Sequence, residues 1–307
     1  AGLIMYNISA GILQAVGDSR HPLYYLIISS FVNIILDIVF ITVFGMGVEG
    51  AALATILSQF ISAIICLTHL MRSKDVYRLS PKKIRFDLPM LKIIVQNGLP
   101  AGFQNSIIGI ANVVVQSNIN SFGSMAMAGC GAYSKIEGFA FLPIIGMNNG
   151  MVPIISYNYG ARKPERVKKT IRLSITAAIC LMLIGLALFE LIPGTLLTLF
   201  NATDHMREIG IPAFRIIAIH FLFAGFCIVS GSVFQAIGNP LHALINSVCR
   251  QLVVLLPAAW LLAQTGKLEM VWFCFPIAEI FSFTLSAIFL RKTLQTAHAR
   301  MLADDAD

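Results

Sequence analysis

Asp37 is the only charged residue in an apolar run from Leu23 to Phe44. At about 1.5 Å of rise per residue that run is long enough to cross a bilayer as a helix. A carboxylate in hydrocarbon is costly, so an acid in such a position is by default a functional group. Asn33 lies one turn earlier on the same helix face. After the break at Gly45-Met46-Gly47 a second apolar run begins, and it contains Thr55. Asp37 and Thr55 are equally distant from Met46, so an antiparallel hairpin brings them to the same depth. Asn33, Asp37 and Thr55 thus offer hard oxygen ligands for a small cation such as Na⁺, or a proton site centred on Asp37. The competing reading is a buried Asp whose hydrogen bonds are satisfied by its neighbours.

Further polar groups fall inside apolar stretches. Glu137 and Glu279 could attract cationic molecules within a span; Glu137 could equally form an intramembrane pair or a contact near the surface. His220 could titrate near neutral pH. Arg215, on the same stretch, reads as a structural partner for carbonyls or an acid. Arg250 lies two turns into its helix, and we expect it to snorkel to the membrane interface. The stretch 92–121 carries a stripe of uncharged polar residues, of which Gln104, Asn105 and Asn112 are the best candidates to line a cavity. Met147 and Asn148 could extend that wall, since Met suits promiscuous apolar contacts. Gly98 and Pro100 could bend the same helix.

The elements that hold these groups are membrane spans. The chain of 307 residues is 57% hydrophobic and only 12% charged, and its mean hydropathy is +0.80. Such a composition excludes a soluble globular domain. The net charge of +7 does not indicate nucleic acid, because the charges sit in a few loops between apolar runs. We expect an all-α membrane protein with nine helical segments: 1–16, 23–44, 48–70, 92–121, 127–156, 171–199, 208–235, 242–263 and 268–291. Most of the 22 Lys and Arg residues fall in 17–22, 71–92, 157–172 and after 290. Arg207 and Lys267 lie on the opposite side, and only Lys135, Arg215 and Arg250 lie within spans. The positive-inside rule makes the first set, and the C-terminus, cytoplasmic. The six cysteines show no metal-ligand spacing and read as small buried hydrophobes. No metal-ligating His/Asp motif, nucleophile elbow or phosphate loop is found, so we expect no enzyme and no cofactor.

The basic segment 71–91 divides the chain into 1–70 and 92–293, with a tail at 294–307. Ile84, Phe86, Leu88 and Leu91 could lay part of that segment on the membrane surface; otherwise it is a solvated linker. An internal repeat supports the division. Gln14-Ala-Val-Gly17 recurs as Gln235-Ala-Ile-Gly238, and His21 as His242, at a shift of 221 residues. Glu49 and Gln59 then match Glu269 and Glu279 at a shift of 220. The last three helices thus repeat the first three. The simplest whole is two six-helix lobes related by a two-fold axis along the membrane normal, the second complete and the first lacking about three helices. Asp37 falls opposite Ala258, Asn33 opposite Val254 and Thr55 opposite Phe275. The polar trio therefore belongs to the first lobe alone, which favours function over architecture.

The chain resembles the multidrug and toxic compound extrusion family of antiporters. The resemblance rests on Gln14-Ala-Val-Gly-Asp-Ser-Arg-His-Pro22, Asn33-Ile-Ile-Leu-Asp37 and Gly45-Met-Gly-Val-Glu-Gly-Ala-Ala-Leu-Ala-Thr55. In the second lobe it rests on Gly98-Leu-Pro100, Pro143 with Gly146, Tyr157-Asn-Tyr-Gly-Ala161 and Gln235-Ala-Ile-Gly-Asn-Pro240. The run at 157–161 is most similar to the bacterial branch. The resemblance covers essentially the whole chain, starting near the fourth of twelve family helices. It implies a 6+6 helix bundle with a central cavity that opens alternately to each side. It also implies export of cationic amphipathic drugs in exchange for Na⁺ or H⁺, by a monomer in the bacterial cytoplasmic membrane. The family's cation site uses an Asp and an Asn four apart and a Thr in the next helix, which match Asp37, Asn33 and Thr55. It also draws an Asp from a first helix, absent from this sequence. A related exporter group flips lipid-linked sugars, but expects a more cationic cavity than this chain supplies. The chain begins at Ala1 within an expected helix, so we expect an N-terminally truncated copy that does not transport by itself.

Overall fold

The computed structural model describes residues 1–73, 77–199 and 202–303. Lys74, within the basic segment, and the end of the expected tail at 304–307 lie outside the described residues. Among the described residues the fold is all-helical and has no strands. Seven helical runs among these residues are long and apolar enough to cross a membrane, and a bent pair of shorter helices makes an eighth. The expected segment 1–16 is a 14-residue helix, α1 (Gly2–Ala15).

The chain falls into two compact units, Ala1–Asp87 and Leu88–Asp307. In the first, α1, α2 (Arg20–Ile38) and α3 (Val48–Arg72) form an up-down bundle, and a π-helical turn at Val39–Val43 extends α2. Its small core gathers Tyr6, Leu13, Cys66 and Leu70. Gly2 lies so close to α3 that a Cβ there would stand 3.0 Å from the Gln59 backbone. The outer face of α2 is apolar and open: Phe31, Ile34, Ile35 and Ile38 are all more than half exposed. That is the pattern of a helix whose solvent is lipid. Ser29, Asn33 and Asp37 form the opposite stripe, spaced one turn apart. Its direction is fixed where the Ser29 hydroxyl donates to the Ser58 carbonyl of α3 at 2.6 Å.

In the basic connection a 3₁₀ turn spans Pro81–Lys83, and no helix forms over Ile84 and Phe86, which are exposed. The second unit holds α4 (Leu88–Asn120), α5 (Ser124–Gly160), α6 (Pro164–Leu191), α7 (Pro193–Thr198), α8 (Asp204–Ala218), α9 (Phe221–Ala236), α10 (Pro240–Val248), α11 (Leu256–Ala263), α12 (Leu268–Trp272) and α13 (Cys274–Ala303). Its core centres on Tyr133, Phe189, Phe214 and Phe221, whose rings meet edge-on or stacked at 5.1–5.8 Å.

Three expected segments are corrected. The stretch 171–199 breaks at Ile192, because Pro193 disfavours a helical residue before it and starts α7 instead. The stretch 208–235 is two helices, α8 and α9, bent by 53° at Ile219–His220. The His220 ring lies 2.6 Å from the Ile217 carbonyl, which also accepts from the His220 amide. A side chain inserted into the backbone ladder in this way is a recognised cause of a kink. The last helix runs on to Ala303, beyond the expected end at 291. Within 240–263 a π-helical stretch, Cys249–Leu255, precedes Pro257. Proline has no amide to donate, which frees a carbonyl a turn earlier.

Candidate functional site

In the first unit, the repeat glycine Gly17 takes a φ of +89° that ends α1 and turns the chain into α2. This turn sets the register of the Ser29–Asn33–Asp37 stripe. Asn33 Nδ2 and Asp37 Oδ1 are buried and have no hydrogen-bond partner among the described residues. A buried orphan of that kind calls for an explanation, most simply an ion, a proton or a water. The π turn begins two residues after Asp37, and such turns recur at functional sites. Thr55 is exposed, and its hydroxyl donates to Ala51 O at 2.9 Å rather than to Asp37 or Asn33. Its hydrogen is therefore spoken for, while its oxygen lone pairs remain able to face a cation.

The second unit holds an open cavity of about 660 Å³. Of the expected residues, Gln104, Asn112, Glu137, His220 and Glu279 line it. Asn105, next to Gln104, is exposed and is not among its lining residues. Met147, which packs against the core, and Asn148, which is buried, are not among the residues that line it.

Two linked clusters give the cavity its charge. Glu137 Oε1 accepts from the Tyr133 hydroxyl at 2.9 Å and lies 3.3 Å from His220 Nε2. The His220 ring is stacked on Phe141, and its other nitrogen faces Ile217 O. Arg250, expected to snorkel, is instead paired inside the unit: its Nε and Nη2 lie 2.8 and 2.7 Å from Glu279 Oε2. The correction has a simple cause. The Glu279 side chain is only 3% exposed, and a desolvated carboxylate needs a cationic partner. The π-helical stretch places Arg250 opposite it. Arg215 lies 3.9 Å from Glu190, the acid contact expected of it.

Sequence reasoning overlooked Asn246 and Gln251, which also line this cavity. Asn246 donates to Ser282 at 3.0 Å, while Asn246 Oδ1 and Gln251 Oε1 are buried without partners. The spacing of Asn246 and Arg250, one turn apart in a span, was the available signal.

A many-span helical bundle with ionisable groups buried inside its spans is the architecture of a polytopic membrane protein. A family model described as MatE matches residues 100–261, more than half of the chain. The chain belongs to the MatE family. It is 24% identical over 292 residues to the probable multidrug resistance protein YoeA of Bacillus subtilis, covering 92% of this chain and 63% of that one. With YpnP, a second probable multidrug resistance protein of that organism, it shares 29% identity over 264 residues, covering 84% and 59%. With the multidrug export protein MepA of Staphylococcus aureus it shares 25% over 271 residues, covering 88% and 60%. The chain thus spans about three fifths of the length of these relatives. Among solved structures, a MATE in complex with MaL6 superposes with a TM-score of 0.89 over 96% of this chain and 67% of that one, at 24% identity. An outward-facing MATE family transporter of the MOP superfamily gives 0.88 over 95% and 66%.

Proposed function

We propose that the protein exports cationic amphipathic compounds across a bacterial cytoplasmic membrane in exchange for Na⁺ or H⁺, by alternating access. The observation that carries this reading is the buried, unpartnered Asp37 Oδ1 beside the unpartnered Asn33 Nδ2 in an otherwise apolar span. An unpaired carboxylate there is unfavourable unless a cation or proton neutralises it. Neutralisation therefore favours whichever conformation keeps Asp37 buried, and its release favours the other. Coupling requires only that drug and cation prefer different conformations.

The cavity of the second unit supports the choice of substrate. Two carboxylates, Glu137 and Glu279, face one guanidinium, Arg250. Acidic side chains thus outnumber the guanidinium in its lining, and Phe141, Ile145 and Phe275 offer apolar contact. Such a mixture suits a lipophilic cation.

The test is efflux of a fluorescent cationic dye by the complete gene product in proteoliposomes, under an imposed Na⁺ or H⁺ gradient. Dye movement driven by one gradient and abolished by Asp37→Asn is expected. Undiminished transport by Asp37→Asn would show that coupling resides elsewhere. Failure of any cationic dye to move under either gradient would favour an uncharged or anionic cargo.

A further inference from the structure

Asp18, His21 and His69 play no part in the transport chemistry described above. All three lie at one end of the first unit, where the α1–α2 turn meets the C-terminal turns of α3. One ligand atom from each lies within 4.8 Å of the other two. We infer that these three side chains form a binding site for a divalent transition metal such as Zn²⁺, with two imidazoles and one carboxylate as ligands.

The supports are already in place. Asp18 Oδ2 lies 2.5 Å from His21 Nδ1, and Asp18 Oδ1 accepts from the His21 amide at 3.2 Å. The Tyr25 hydroxyl lies 2.7 Å from His69 Nδ1, fixing that ring and leaving Nε2 available. Such outer contacts orient metal-ligating histidines. A metal at about 2.1 Å from tetrahedral ligands holds them roughly 3.4 Å apart, so the Asp18–His21 contact opens by about 1 Å from 2.5 Å while the wider separations, none above 4.8 Å, close by about 1.4 Å at most. The His21 side chain is 47% exposed, which leaves an entry path.

The internal repeat separates this reading from simple packing. The His21 ring lies 4.6 Å from that of His69. In the second unit the His242 ring lies 4.7 Å from Phe289, the residue that matches His69. The equivalent of Asp18 is Asn239. The ring contact that closes this end of the hairpin therefore works with Phe in place of His. The first unit carries ligands at two positions where packing does not require them. The metal would tie the start of α2, the helix of Asn33 and Asp37, to the end of α3.

The test uses tag-free, chelator-stripped protein in detergent, titrated with Zn²⁺ alone by calorimetry. Co²⁺ absorption reports on the coordination geometry. The informative variant is His69→Phe, which copies the second unit and keeps the ring contact. Wild type should bind one more equivalent of Zn²⁺ than His69→Phe, with at least about a tenfold loss of affinity in Asp18→Asn. His298→Ala, a histidine remote in sequence on α13, should match wild type. No Zn²⁺ uptake by wild type, or equal uptake by wild type and His69→Phe, would overturn the inference. Should His69→Phe fail to fold, Asp18→Asn decides by the same comparison.

Discussion

Two acids in this chain illustrate opposite solutions to the same electrostatic problem. Glu279 is buried and paired with Arg250, whereas Asp37 has a buried oxygen with no partner. Removing one member of a buried pair leaves the other charge uncompensated. We therefore expect Arg250→Met or Glu279→Gln to destabilise the protein by about 3–5 kcal/mol. The double variant Arg250→Met/Glu279→Leu should recover most of that loss, because the desolvation cost disappears with both charges. Thermal melting in detergent of the two singles and the double checks the cycle. Asp37→Asn should behave differently: unchanged or raised melting temperature together with lost coupled efflux, the mark of a site held unsatisfied for function. The same contrast explains what the sequence could reveal. A lone Asp in an apolar run is visible from composition and position. The partner of Glu279 is not, since Arg250 lies far away in sequence and its snorkelling distance from a helix end looks equally plausible until α13 is placed beside it.

At the scale of elements, most of the helices were legible because apolar runs and glycine turns mark them plainly. The repeat was legible too: Gly17 and Gly238 close equivalent turns with φ of +89° and +80°. Neither would meet a neighbour if given a Cβ, so Gly17→Ala and Gly238→Ala test backbone strain alone. Each should cost about 1–2 kcal/mol. Gly11→Ala is the control: it has equal open space but ordinary helical backbone, and should instead stabilise by about 0.5–1 kcal/mol. Urea or thermal titration of the three variants separates the two outcomes. The bend at Ile219–His220 and the Cys249–Leu255 π stretch were not legible. Both arise from competition for individual backbone carbonyls, which hydrophobic periodicity does not register. These irregular places position His220 and Arg250 in the cavity lining, so the site was harder to read than the scaffold that carries it.

For the whole molecule, the remaining quantity is its direction across the membrane, and the charges argue it. Lys163 and Arg166 stand at the α5–α6 turn, while Lys267 stands alone at the α11–α12 turn. If translocation obeys the positive-inside rule, the first turn is cytoplasmic and the second external. This orientation also places the end of α13 on the cytoplasmic side. Cysteine scanning can decide it directly. Cys66, Cys130, Cys227 and Cys274 are buried, so replacing Cys180 and Cys249 with Ala leaves a quiet background. In that background Lys163→Cys should resist a membrane-impermeant maleimide in intact cells and react after permeabilisation. Lys267→Cys should react in intact cells. The reverse pattern would invert the topology, and with it the side from which the cavity of the second unit receives its cargo. It would not alter the reading of Asp37, because burial in a span penalises an unneutralised carboxylate equally from either side.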